Sequence, residues 1–193
     1  MPEVHFIGSI DSVRGGAADD ELCVTWALVP GNEEWYIQKG SFFGETQISS
    51  VSVDGCAVLN HPLDAQFNTE SSEGWPRLVC ELWHRESVMS LGSGGGESVR
   101  GLLGCGCTWL PACPGPQTLT VRLWKPSPTL AARGSLSKLA DHLLPSVPDM
   151  ERLRELVIDP AARATSQAHP AGEVAVSVHT LVTKDFASFG VNL

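Results

Sequence analysis

Gly74-Trp75-Pro76-Arg77-Leu78, running without a break into Val79-Cys80-Glu81-Leu82-Trp83, is the stretch whose reading decides the fold. Proline has no N–H to give to a sheet ladder, so Pro76 is expected at the first position of a strand, where no hydrogen bond is lost. Gly74 supplies the bend before it. After the proline, Arg77, Val79, Glu81 and Trp83 alternate with Leu78, Cys80 and Leu82, which is the two-residue period of a strand. The segment reads as a loop-to-strand junction with a large aromatic pinned at the corner.

Outward from this junction the same pattern recurs. Short alternating segments broken by Gly, Pro, Asn and Ser predict an all-β, antiparallel β-sandwich of eight or so strands. The periodicity places strands over residues 4–10, 22–28, 35–39, 47–53, 77–84, 99–109, 119–124 and 173–183. Asp54-Gly55, between Ser52-Val53 and Cys56-Ala57-Val58, is a two-residue hairpin signal. Two regions break the β pattern. Residues 135–144 carry Leu136, Leu139, Ala140 and Leu143 at helical spacing, with Ser135 or Ser137 as N-cap and Pro145 as stop. A second short helix is expected over 149–157, capped by Asp149. With the Ala-, Ser- and Pro-rich linker 159–172, these helices form an excursion over about 134–172, a short helical insertion before the last strand. The chain, 1–193, is expected to be one domain.

At 193 residues a folded chain buries roughly 70% of the surface its unfolded form exposes, enough for an independent core. No stretch approaches the ~18 apolar residues of a bilayer span. Met1-Pro2-Glu3-Val4-His5 has no basic flank leading into an apolar run, so no signal peptide is expected, nor N-myristoylation without Gly at position 2. The six cysteines then read as reduced thiols in the cytosol. The net charge of −9 is polarised: residues 1–70 hold eleven of the 22 acids and only Arg14 and Lys39 as cations, whereas the rest sums to zero. Arg100, Arg122, Lys125, Arg133 and Lys138 follow one another with no acid between Glu97 and Asp141. Such a dipolar chain suits electrostatic complementarity with partner domains and is a poor candidate for nucleic acid.

No constellation carries catalytic chemistry. Calcium needs several carboxylates converging from loops, since the ion takes about six to eight oxygen ligands. Here His84-Arg85-Glu86 offers one, beside a repelling arginine, while Asp19-Asp20 and Glu33-Glu34 lie in the first loops. Cys105-Gly106-Cys107, Cys113, Cys80 and His84 lack the paired knuckle spacing of structural zinc sites. Gly92-Ser93-Gly94-Gly95-Gly96 lacks the Gly-Lys-Ser/Thr of a phosphate cradle, and no Gly-x-Ser-x-Gly elbow exists. No enzyme, metal or cofactor is expected. Trp26, Trp83 and Trp124 sit in strand-like runs as core residues. Trp35 and Trp75 stand at loop boundaries, where an aromatic plugs a sandwich end or anchors a partner.

Four blocks stand out along the chain: Glu3-Val4-His5-Phe6-Ile7-Gly8; His61-Pro62-Leu63-Asp64 followed by Phe67 and the junction 74–78; Leu123-Trp124-Lys125-Pro126; and Asp185-Phe186-Ala187-Ser188-Phe189-Gly190-Val191. Together these blocks resemble the B9-domain family of ciliary proteins. They run in the family's order from end to end. The stretch 134–172 is the region that matches least, and the tail departs by ending in Asn192-Leu193. B9 domains are similar to divergent C2 sandwiches, so the resemblance implies a C2-like fold. It further implies a non-enzymatic scaffold subunit of the ciliary transition-zone (MKS/tectonic-like) complex, needed for cilium assembly and for gating ciliary membrane content. The implied partners are other B9-domain proteins, in a hetero-oligomer of three paralogues, transmembrane transition-zone proteins and the ciliary membrane surface. The implied location is the cytoplasm and cytoskeleton at the cilium base.

Trp75, Pro76 and Arg77 are the candidate partner interface. Arg100, Arg122, Lys125, Arg133 and Lys138 are candidate contacts to lipid or an acidic partner. The alternative function is a peripheral membrane module that binds anionic lipid without calcium.

Overall fold

The computed structural model describes residues 1–88, 97–126, 157–159, 161 and 168–183. Ten strands run through them: β1 Glu3–Arg14, β2 Glu21–Val29, β3 Trp35–Gly40, β4 Phe43–Glu45, β5 Ser49–Ser50, β6 Cys56–Thr69, β7 Arg77–Val88, β8 Glu97–Trp109, β9 Gly115–Pro126 and β10 Ala168–Val182. All pairings are antiparallel where their register runs, and the strands follow one path, β3-β6-β1-β10-β9-β8-β7-β2-β4, with β5 beside β2.

That path curls back on itself. The fold line lies between β8 and β9, which share a single register pair, Cys105 with Trp124. Glycines make the line possible. A Cβ on Gly106 would lie 2.2 Å from the Arg122 carbonyl oxygen, and one on Gly104 would lie 2.4 Å from the Ala171 Cβ. Only a residue without a side chain admits a backbone so close. At the opposite side the two ends of the path, β3 and β4, are joined by just Ser41-Phe42. Ser41 N–H bonds the Asp64 carbonyl of β6 at 2.9 Å, and Leu28 N–H of β2 bonds the Phe42 carbonyl at 2.7 Å. The Trp26 ring of β2 meets His61 of β6 at 5.9 Å between centroids, and the Gln47 amide of the β4–β5 segment donates to the Leu59 carbonyl of β6.

Inside the curl, alternate residues form one core. Val4, Phe6 and Ile10 of β1, Leu22, Val24 and Trp26 of β2, Leu59, Leu63 and Phe67 of β6, and Leu78, Cys80 and Leu82 of β7 are all buried there. β9 and β10 add Val121, Leu123, Val174, Val176 and Val178. Fully burying one such aliphatic or aromatic side chain contributes about 1.5–3 kcal/mol, so this shared face is what holds the curl closed.

The all-β, antiparallel expectation holds, and its details shift. Pro76 stands one residue before β7 instead of opening it. β6 runs unbroken through His61-Pro62, a strand not expected beyond Val58. Pro62 is tolerated because β3 pairs with β6 only from Ala65 onward, which leaves β6 one neighbour at that point. The strand expected over 47–53 shrinks to β5, with the short β4 standing before it unexpected, and the 159–172 linker is already β10 from Ala168. The helix expected over 135–144 lies outside the described residues, as does most of the one expected over 149–157. Val157 and Ile158 are helical.

Candidate functional site

The corner at Gly74-Trp75-Pro76 is built from four segments. Gly74 adopts φ 71°, the left-handed region open to glycine, and its carbonyl accepts from Gly31 N–H at 2.9 Å. That turn drives Trp75 inward. Its ring packs edge-on against Trp35 at 4.9 Å and Phe6 at 6.2 Å. The indole N–H donates to the Leu110 carbonyl at 2.9 Å, and Leu110 N–H in turn donates to the Pro76 carbonyl at 3.1 Å. Trp35 completes the corner by donating its indole N–H to the Glu73 carbonyl at 2.7 Å. An amphipathic ring with its N–H satisfied and its faces on aromatics closes one end of the curl. Trp75 therefore acts as a plug, and Pro76 is buried beside it.

Arg77 points the other way, to the outer face of β7. Its guanidinium stacks 3.8 Å from the centre of the Trp109 ring, the residue opposite it in the β7–β8 register, and donates to the Ile158 carbonyl at 2.5 Å. Trp109 is the large aromatic left open at this corner, 51% exposed. Sequence reading placed it inside a strand and gave it no role. The signal that could have found it is its position at the last residue of that strand, opposite an arginine.

The outer face of β7–β9 carries a second, smaller apolar layer: Val79, Leu102, Cys105 and Val157 are buried together, with Trp83, Trp124 and Ile158 packed on them. The Val157–Ile158 turn is stitched to it by Arg77 and by the Cys107 thiol, which donates to the Val157 carbonyl at 3.1 Å. Glu81 is also buried. Burial pushes the Cys105 thiol up to about 12, with the Glu81 and Cys107 charges acting in the same direction, and raises Cys80 as well. Neither thiol is a nucleophile at neutral pH. All six cysteines are free, and among the described residues no three His, Cys, Asp or Glu side chains converge as a metal site.

The five candidate cations do not form one described patch. Arg100 holds Glu45 in a bidentate pair at 2.6 and 2.8 Å, which raises its pKa; half-exposed, the pair contributes about 1 kcal/mol or less. Beside it Arg85 lies 3.8 Å from Glu21. Arg122 is exposed on β9 opposite Glu173, and Lys125 is exposed opposite His169. Arg133 and Lys138 lie outside the described residues, as do the C-terminal block 185–191 and the glycine run 92–96.

Comparison with known proteins gives this arrangement its family. A family model described as "Ciliary basal body-associated, B9 protein" matches residues 4–181, from β1 almost to the end of β10. B9 domain-containing protein 2 of Xenopus laevis is 32% identical over 126 residues, 65% of this chain and 65% of that protein. The Homo sapiens protein of that name is 31% identical over 126 residues, 65% of this chain and 66% of that protein. The Drosophila melanogaster protein is 29% identical over 128 residues, 66% of each. The matched part thus spans just under two thirds of these relatives' length. With its model matched over nearly every strand, the chain belongs to the ciliary basal body-associated B9 protein family.

Proposed function

We propose that this chain is a non-enzymatic scaffold subunit of the ciliary transition-zone complex, acting in cilium assembly and in gating ciliary membrane content. The observation that carries the reading is the family match across residues 4–181. It is supported by a body of strands whose buried residues are spent on its own core and whose charge is polarised between the two parts of the chain. In this reading residues 1–193 form one domain, the curled sheet is a divergent C2-like sandwich, and the segment over 134–172 is an insertion into it. The partners are other B9-domain proteins in a three-paralogue assembly, together with transmembrane transition-zone proteins, at the cytoplasmic side of the cilium base.

Trp75, Pro76 and Arg77 act in partner binding indirectly, by holding the corner and presenting Trp109. Calcium-independent binding of anionic lipid draws less support, because Arg100 is already engaged by Glu45. Co-expression with the two other B9-domain proteins of the same organism, followed by size-exclusion chromatography with light scattering, tests the proposal. A stable mixed complex is expected. A monomer that ignores both partners, together with flotation on anionic vesicles that vanishes in high salt, would replace the scaffold by a membrane module.

A further inference from the structure

The surface that binds the partner is left unnamed by the family match, and the two sheet ends narrow the search. β4 is three residues long. β3 is the other end, paired among the described residues on one side only, with β6. Beyond Trp35, which is buried, every residue of β3 is exposed, including the adjacent large apolar pair Tyr36 (44%) and Ile37 (56%). Natural sheets blunt such edges with bulges and lysines. β3 does so only in its second half, where the register slips between Ile37 and Lys39 and the strand ends at Gly40. Its first half carries no such device.

Carboxylates surround that open half. Glu33 and Glu34 precede Trp35, and both are exposed. Glu70 N–H bonds the Glu34 carbonyl at 3.1 Å, and Glu73 is held by the Trp35 indole N–H on its carbonyl at 2.7 Å and by Asn32 Nδ2 at 3.2 Å. These bonds fix the backbone of three of the four exposed acidic residues, Glu34, Glu70 and Glu73, about the start of one edge strand. The nearest described lysine is Lys39, beyond the bulge.

We infer that the open half of β3 is a strand-addition site for an extended segment of a partner chain rich in Lys or Arg alternating with aliphatic residues. The inference rests on the scaffold reading and names its surface. Backbone groups of the edge would supply main-chain hydrogen bonds, Tyr36 and Ile37 the apolar contact, and Glu33, Glu34, Glu70 and Glu73 the sign selection. A second copy of this chain suits the site less well, since its own β3 brings one lysine to meet four carboxylates and the chain carries −9 overall.

The test uses the full chain in two arms. In the first, the probe is a ten-residue peptide alternating Lys with Val and Ile, with a Glu-for-Lys counterpart as control, followed by amide NMR shifts. Shifts confined to residues 33–38 and 66–73, at least tenfold weaker binding for the Glu peptide, and loss in the Tyr36→Ser/Ile37→Ser variant are expected. Equal binding of both peptides, shifts elsewhere, no binding, or a dimer of the chain by light scattering would overturn the inference. In the second arm the same variant is co-expressed with the other B9-domain proteins. A mixed complex that survives unchanged in the variant refutes the edge site while leaving the scaffold intact. Loss of the complex in the variant, with its melting unchanged, supports the edge site. Absence of any wild-type complex refutes the scaffold reading, and the peptide arm then decides the edge by itself.

Discussion

The two outer faces of the curled sheet have opposite fates. On β7–β8 the outward residues Val79, Leu102 and Cys105 are buried under the Val157–Ile158 turn. On β1–β10 the outward residues Ile7, His179 and Leu181 are exposed. Both faces belong to strands of similar length whose inward residues enter the same core. What differs is the outward parity: valine, leucine and cysteine on one, with a clasp from Arg77 and Cys107; serine, histidine and acid on much of the other. A strand covered on both faces is mostly apolar at both parities, Glu81 being the buried exception here, and a face that meets water need not be. The contrast teaches that the part of the β7–β8 face beneath the Val157–Ile158 turn is a finished interior, whereas Trp109 at its end stays open.

The largest expected effect comes from placing a charge on each face. Val79→Asp buries a carboxylate at a position 3% exposed and is expected to cost about 3 kcal/mol or more. Ile7→Asp, at 40% exposure, should stay within about 1 kcal/mol. Urea melts of the two variants are the check, and equal losses would erase the distinction between the faces.

A smaller effect is expected from the clasp. Arg77→Met removes the charged bond to the Ile158 carbonyl and the stacking on Trp109, a loss of about 2 kcal/mol. Hydrogen exchange should quicken at Val157 and Ile158. If stability and exchange were unchanged while partner binding fell, Arg77 would be a direct contact and not part of a clasp.

The smallest effect is in pH. Cys105 on the covered face, and Cys80 beneath it, have thiol pKa values raised by burial. Below the unfolded thiol pKa of about 8.5 both states are protonated, and these groups add no pH dependence. Above it the unfolded chain loses protons that the folded chain keeps, so stability falls with rising pH, by about 1 kcal/mol per thiol by pH 9. For Cys105 the decline continues until pH nears about 12, its folded value. Denaturation at pH 7 and pH 9, compared with a Cys80→Ala/Cys105→Ala variant whose slope is flatter, reads this out. Thiol labelling of the native protein should reach the exposed Cys113 first.

Much of this architecture was legible in the chain. Arg77-Leu78-Val79-Cys80-Glu81-Leu82-Trp83 announced a strand by its two-residue period. Trp75 after Gly74 marked the corner. Less legible was the site. Trp75 offered two roles, of which the proline after it favoured the corner plug, and its inward turn became visible only with Trp35, Phe6 and Leu110 around it. Arg100 looked like a free cation because Glu45, its partner, stands 55 residues away. β6 was missed beyond Val58 because Pro62 argues against a strand until the short reach of β3 is known.

By itself the sequence determined the all-β character, the inward and outward parity of most strands, the family and the polarised charge, because each is written in residue order or in a period of two. Only the tertiary structure decided the path of the strands, the fold line at Gly104 and Gly106, which outer face is covered, and which acids gather at β3. Those depend on pairings between residues far apart in the chain, such as Trp26 with His61 or Arg77 with Ile158. A local pattern says which way a side chain can point; only the chain's return from a distance says what it meets there.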